Sequence, residues 1–138
     1  MAQVLIVEDN LIYRDLVHLL CRMDGHEVLD ARDGEEALGL LEEAGAPRPI
    51  DLFIVDHGLG GLTGRDLIEK IRERLAFQDT PILLLSATAR GLEGLSVRRR
   101  VEFLQKPMEN REVVAAIRKL LPPWSPSLSG GGPFIGWT

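Results

Sequence analysis

The chain has 138 residues, of which 45% are hydrophobic and 27% charged, a globular rather than a disordered composition, and one core of this size buries roughly two thirds of the unfolded surface. No apolar run approaches the roughly 20 residues of a membrane-spanning helix, and the opening MAQVLIVEDN has neither a basic lead nor a small-residue cleavage site, so a cytoplasmic protein is expected. A net charge of -5 argues against nucleic-acid binding by electrostatics, and Cys21, being alone, permits no internal disulfide and reads as an inert core thiol.

The first elements alternate strand and helix. Gln3 to Val7 is a short branched run, and Leu11 to Met23 follows with apolar residues at helical spacing, Ile12, Leu16, Leu19, Leu20 and Met23, expected inward. Arg14, His18 and Arg22 fall four apart on another side, which predicts a solvated face, and Gly25 ends the helix. Glu27 to Ala31 is a second strand. Asp33 to Ala44 is a second helix with Ala37, Leu38, Leu41 and Ala44 inward, closed by Gly45 and Pro47.

Ile50 to Val55 is apolar in succession, as a central parallel strand covered on both faces must be. Thr63 to Asp66 has the spacing of a capping box, and Leu67, Ile68, Ile71 and Leu75 continue it as a third helical stripe. Pro81 to Leu85 and Val101 to Gln105 are the fourth and fifth strands. Between them Ala87 to Arg98 is a poor helix, because Gly91 and Gly94 each cost about 1 kcal/mol relative to Ala. Glu112 to Leu121 is the last helix, stopped by Pro122 and Pro123. Five alternations predict an α/β fold with a doubly wound parallel sheet over residues 1–121. Residues 122–138, PPWSPSLSGGGPFIGWT, carry no charge and read as a tail or linker. Trp124, Phe134, Ile135 and Trp137 make it more apolar than a solvated linker requires, and docking on this domain or on a partner is expected.

Ligands of open parallel sheets bind beyond the carboxyl ends of the strands. Here those ends carry Glu8 and Asp9, Asp56, Ser86, and Lys106 followed by Pro107. Each has an ordinary reading by itself: Glu8 and Asp9 favour a helix macrodipole, Asp56 suits a turn, and Ser86 suits a helix cap. Together they do not. Three converging carboxylates repel by about 4 kcal/mol per close pair at an effective dielectric near 20, so a compensating cation is required. Oxygen-only ligands suit Mg²⁺, and Lys106 supplies a second positive charge. A carboxylate so placed can act as a nucleophile toward phosphorus, with the cation and Lys106 absorbing developing charge.

Other signals are weaker. GLGGLTG nearly spells a dinucleotide fingerprint, but Thr63 stands where the final glycine belongs and the loop follows the third strand. Arg98 to Arg100 read as complementing a helix C-terminus. His18, His26 and His57 have no metal-ligand spacing, and His57 reads as a solvent-exposed imidazole.

The segments VLIVEDN, DLFIVDHGLGGLTG, ILLLSA and FLQKP, in this order, resemble the receiver domain of two-component response regulators over Gln3 to Leu121. The resemblance implies a flavodoxin-like sheet of strand order 2-1-3-4-5. It implies that Glu8, Asp9, Asp56 and the backbone carbonyl of Gly58 bind Mg²⁺, and that Asp56 accepts phosphate from a sensor histidine kinase or phosphotransfer protein. Ser86 and Lys106 would contact the phosphoryl group, and Ser86 with Phe103 would form the switch, although Phe103 reads equally as core. Output would pass to a downstream protein through the face of the family's fourth helix, fifth strand and fifth helix, without direct DNA binding or a membrane. Gly60 departs from the family's usual proline, which predicts a more flexible loop. The expectation is a stand-alone regulatory switch rather than an enzyme. A phosphorylation-independent pseudo-receiver is the alternative. A metal-dependent phosphohydrolase ranks below both, because His57 and Gly58 stand where an acid-base carboxylate would follow the nucleophile.

Overall fold

The computed structural model describes residues 2–42, 49–88 and 100–121. Its five strands are β1 (Gln3–Val7), β2 (Glu27–Ala31), β3 (Leu52–Asp56), β4 (Ile82–Ser86) and β5 (Val101–Gln105), all parallel, in the order β2-β1-β3-β4-β5. The sequences LFIVD and ILLLS place β3 and β4 at the centre: every residue of both is buried, because helices cover both faces of the sheet. Side-chain alternation then sorts the core into two layers. Leu5, Val7, Phe53 and Val55 pack with α2 (Gly34–Glu42) and α3 (Gly64–Arg72), whereas Val4, Ile6, Leu52 and Ile54 pack with α1 (Leu11–Met23) and α4 (Asn110–Leu120).

The helices differ from expectation where tertiary contacts decide. α1 buries Val17, Leu20 and Cys21, while Ile12 is 81% exposed, Leu19 53% and Met23 49%. Two apolar stripes roughly a third of a turn apart share this helix, and periodicity does not say which one meets the sheet. The face expected to be solvated is also partly engaged: half-buried Arg14 donates to the Glu8 carbonyl at 2.9 Å, and half-buried His18 meets Asp30 at 2.8 Å. Asn10 caps α1 by accepting from the Tyr13 N–H, and Gly25, with φ of 91°, turns the chain after it.

α3 is capped by Thr63, whose hydroxyl accepts from Asp66 N–H at 3.1 Å. Leu75 does not continue its stripe, because α3 ends at Arg72 and Leu75–Phe77 is a 3₁₀ turn. Leu75 is exposed, and Phe77 enters the core instead, edge-on to Phe53 at 5.3 Å. Buried Arg72 holds that turn, donating to the carbonyls of Phe77 and Thr80. α4 starts before the expected Glu112, because Glu109 and Glu112 form a reciprocal capping box. The end of the second helix after Glu42, the weak helix expected at 87–98 beyond Thr88, and the tail at 122–138 lie outside the described residues.

Candidate functional site

Strand register builds the site. Val7 pairs with Val55, so Glu8 stands level with Asp56, and Asp56 pairs with Leu85, one residue before Ser86. Backbone bonds extend the ladder past the strands: Glu8 N–H to Ala31, His57 N–H to Leu85 and Lys106 N–H to Ser86, at 3.0, 2.8 and 2.8 Å. Glu8 and Lys106, and Asp56 through its strand pairing and its neighbour His57, are thus fixed by main chain before any side chain is placed.

Carboxylate oxygens of Glu8, Asp9 and Asp56 lie within 4.8 Å of one another, with Asp9 exposed and the other two only 2% (Glu8) and 6% (Asp56) accessible. Lys106 Nζ sits between them, 3.0 Å from Asp56 Oδ1 and 3.2 Å from Glu8 Oε1. The Tyr13 ring backs the ammonium at 4.4 Å, a cation–π contact. Glu8 Oε2 also accepts from the Asn10 N–H. A Cβ at Gly58 would start 3.8 Å from Asp56 Oδ2, so that backbone borders the carboxylate.

Burial, followed by the Asp56 charge, pushes the Glu8 carboxyl up to about 7 against the opposing pull of Asn10 and Lys106. At Lys106 burial works against the charge, but hydrogen bonds and charges from Asp56 and Glu8 outweigh it and raise its pKa. One ammonium against three carboxylates leaves the cluster anionic, and its donors are all hard oxygens. This set fits a divalent cation such as Mg²⁺.

Ser86 is buried at the same sheet edge, its hydroxyl donating to the Thr88 carbonyl at 2.7 Å and accepting from the Thr88 N–H. Phe103 is half-buried and packs against the core on the α2 and α3 side. His57 is not the expected solvent-exposed imidazole. It is half-buried, and its Nδ1 is enclosed without a hydrogen-bond partner among the described residues. His18 pairs with Asp30, and His26 is buried with its pKa pushed down by that burial, so neither joins the site. Of the basic run only Arg100 is described, donating to the Asp79 carbonyl.

Two residues escaped sequence reading. Tyr13 was legible only as the chain's single tyrosine, one turn after the acidic pair. Gly64 opens α3 although glycine is a poor helix former, and the reason is contact: a Cβ there would lie 2.6 Å from His57 Cα and 3.0 Å from the Asp56 carbonyl oxygen.

A five-stranded sheet of this order, with acidic side chains and a lysine gathered past its central strands, defines the receiver class of flavodoxin-like domains. The sequence model of the response regulator receiver domain matches residues 4–118, and the chain belongs to that family. It is 35% identical over 126 residues to the transcriptional regulatory protein CpxR of Klebsiella pneumoniae, covering 88% of this chain and 50% of CpxR. It is 32% identical over 124 residues to the sensory transduction protein RegX3 of Mycobacterium bovis, covering 88% of this chain and 51% of RegX3. The chain therefore spans about half the length of these curated relatives. Among solved structures it resembles the response regulator TrrA of Thermotoga maritima in complex with Mg²⁺ and BeF, with a TM-score of 0.74 and 29% identity over 88% of this chain and 100% of that one. Among the described residues, no helix is long and apolar enough to cross a membrane.

Proposed function

We propose that the chain is a phosphorylation-controlled signalling switch in which Asp56 accepts a phosphoryl group from a sensor histidine kinase or phosphotransfer protein. The observation that carries this reading is the buried Asp56 carboxylate, hydrogen-bonded to Lys106 at 3.0 Å inside a cluster with Glu8 and Asp9. An Asp56 oxygen attacks phosphorus, the bond from phosphorus to the donor breaks, and an acyl phosphate results. Glu8, Asp9, Asp56 and the Gly58 carbonyl would hold Mg²⁺, which when bound offsets charge on the phosphoryl oxygens. Lys106 pairs with a phosphoryl oxygen in place of Asp56 Oδ1. The Ser86 hydroxyl exchanges its bond to Thr88 for one to the phosphoryl group, and Phe103 follows into the vacated space. A charge-assisted bond of this kind contributes roughly 1.5–3 kcal/mol, enough to shift a two-state balance about tenfold or more.

The domain spans residues 1–121 and acts in the cytoplasm. Its output passes by protein contact through β5, α4 and the segment between β4 and β5. It is a regulatory protein that assists its own phosphorylation. Intact mass after incubation with acetyl phosphate tests this: one phosphate is added only with Mg²⁺ and not in Asp56→Asn. A chain that takes no phosphate under these conditions is a pseudo-receiver, and labelling that survives Asp56→Asn overturns the acceptor assignment.

A further inference from the structure

Ile12, Leu16, Leu19 and Met23 follow one another at i, i+4, i+7 and i+11 and form one continuous stripe along α1. Leu16 is half-buried and the other three are exposed, so the described residues leave this stripe uncovered. Monomers seldom present such a patch without an occupant.

The chain leaves the described fold beside it. Arg118, in the last turn of α4, grips Asp24 through two nitrogens at 2.6 and 3.0 Å, and Asp24 caps α1 directly after Met23. Leu121, three residues on, is buried against the same layer. From there residues 122–138 run without a charged side chain and carry Trp124, Leu128, Phe134, Ile135 and Trp137. Seventeen residues extend to about 56 Å, whereas the 13 residues of α1 span about 20 Å, so the segment reaches the whole stripe.

We propose that residues 122–138 dock intramolecularly along the Ile12, Leu16, Leu19 and Met23 face of α1. Tethering favours this occupant over a separate one, because a short linked segment meets its site at an effective concentration of order millimolar. Composition agrees, since residues 122–138 bring no charged side chain onto the apolar stripe to be stranded there. The proposal stands whether or not Asp56 is phosphorylated.

Both tryptophans of the chain lie in this segment, so emission of the full chain reports on it alone. The expected emission is blue-shifted from N-acetyltryptophanamide, shielded from acrylamide, and unchanged on dilution. Ile12→Asp and Leu19→Asp, both at exposed positions, should each return emission and quenching to the values of the free indole. Leu75→Asp, at an exposed apolar residue on the 3₁₀ turn, should change neither. Circular dichroism establishes that each variant is folded. Water-like emission from the unaltered chain overturns the proposal, as does a blue shift that both α1 variants leave intact. A blue shift lost on dilution, together with a dimer in sedimentation, also overturns it by assigning the stripe to a second copy.

Discussion

Replacing Glu8 with glutamine in the metal-free protein tests the electrostatic account of the site. Burial and the neighbouring Asp56 push the Glu8 carboxyl from its ordinary 4.5 up to about 7. Below 4.5 the group is protonated in both folded and unfolded chains, and its contribution to stability is fully present. Between 4.5 and about 7 the unfolded chain ionises first, so this contribution falls as pH rises and is lost once the folded site has also ionised. The interval corresponds to a ceiling of about 3 kcal/mol. Glu8→Gln keeps the shape and removes the titration. Its stability should therefore converge on that of the natural chain below 4.5 and exceed it on the alkaline side of 7, by up to roughly 10 °C in Tm for a domain of this size. Urea unfolding in EDTA, followed by circular dichroism across this range, measures the difference curve, in which other titrations common to both proteins cancel. Mg²⁺ should narrow or reverse the gap at alkaline pH, because a ligand that binds only the folded chain stabilises it and the variant has lost one carboxylate donor. Parallel curves across the window, or a less stable glutamine variant above 7 without metal, would refute the reasoning.

Gly64→Ala should destabilise the domain by about 1–3 kcal/mol, because the new methyl meets backbone of His57 and Asp56 rather than a yielding side chain; denaturant midpoints of the variant measure it. Tyr13→Leu should slow acetyl-phosphate labelling of Asp56 about two- to thirtyfold by removing the ring behind Lys106, while Tyr13→Phe stays near the natural rate and Mg²⁺ affinity is unchanged in both. Equal rates in the leucine variant would show that the ring does not position the ammonium. The Cys21 thiol, buried and pushed up to about 12, should react with a disulfide reagent only on unfolding, and rapid labelling of the native protein would contradict its enclosure.

Local chemistry carried much of this protein in plain view. The all-apolar runs LFIVD and ILLLS announced strands covered on both faces, and Thr63 and Gly25 mark helix ends by groups that bond or bend within a few residues. The acidic pair, Asp56, Ser86 and Lys106 were visible because each stands at the carboxyl end of a strand or directly after it, and parallel strands bring such positions to one edge. What the tertiary structure alone decided depends on contacts between distant segments. The level placement of Glu8 and Asp56 comes from the pairing of Val7 with Val55. The exclusion of any side chain at Gly64 comes from the end of β3 pressing on the start of α3, and the place of Tyr13 comes from a lysine 93 positions away. α1 shows the limit most directly. Its residues support two apolar stripes, and helical periodicity sets their spacing but not the rotation of the helix about its axis. Packing against β1, β2 and α4 chose Val17, Leu20 and Cys21 for the core and left Ile12, Leu19 and Met23 outside. A helix's phase is a property of its neighbours.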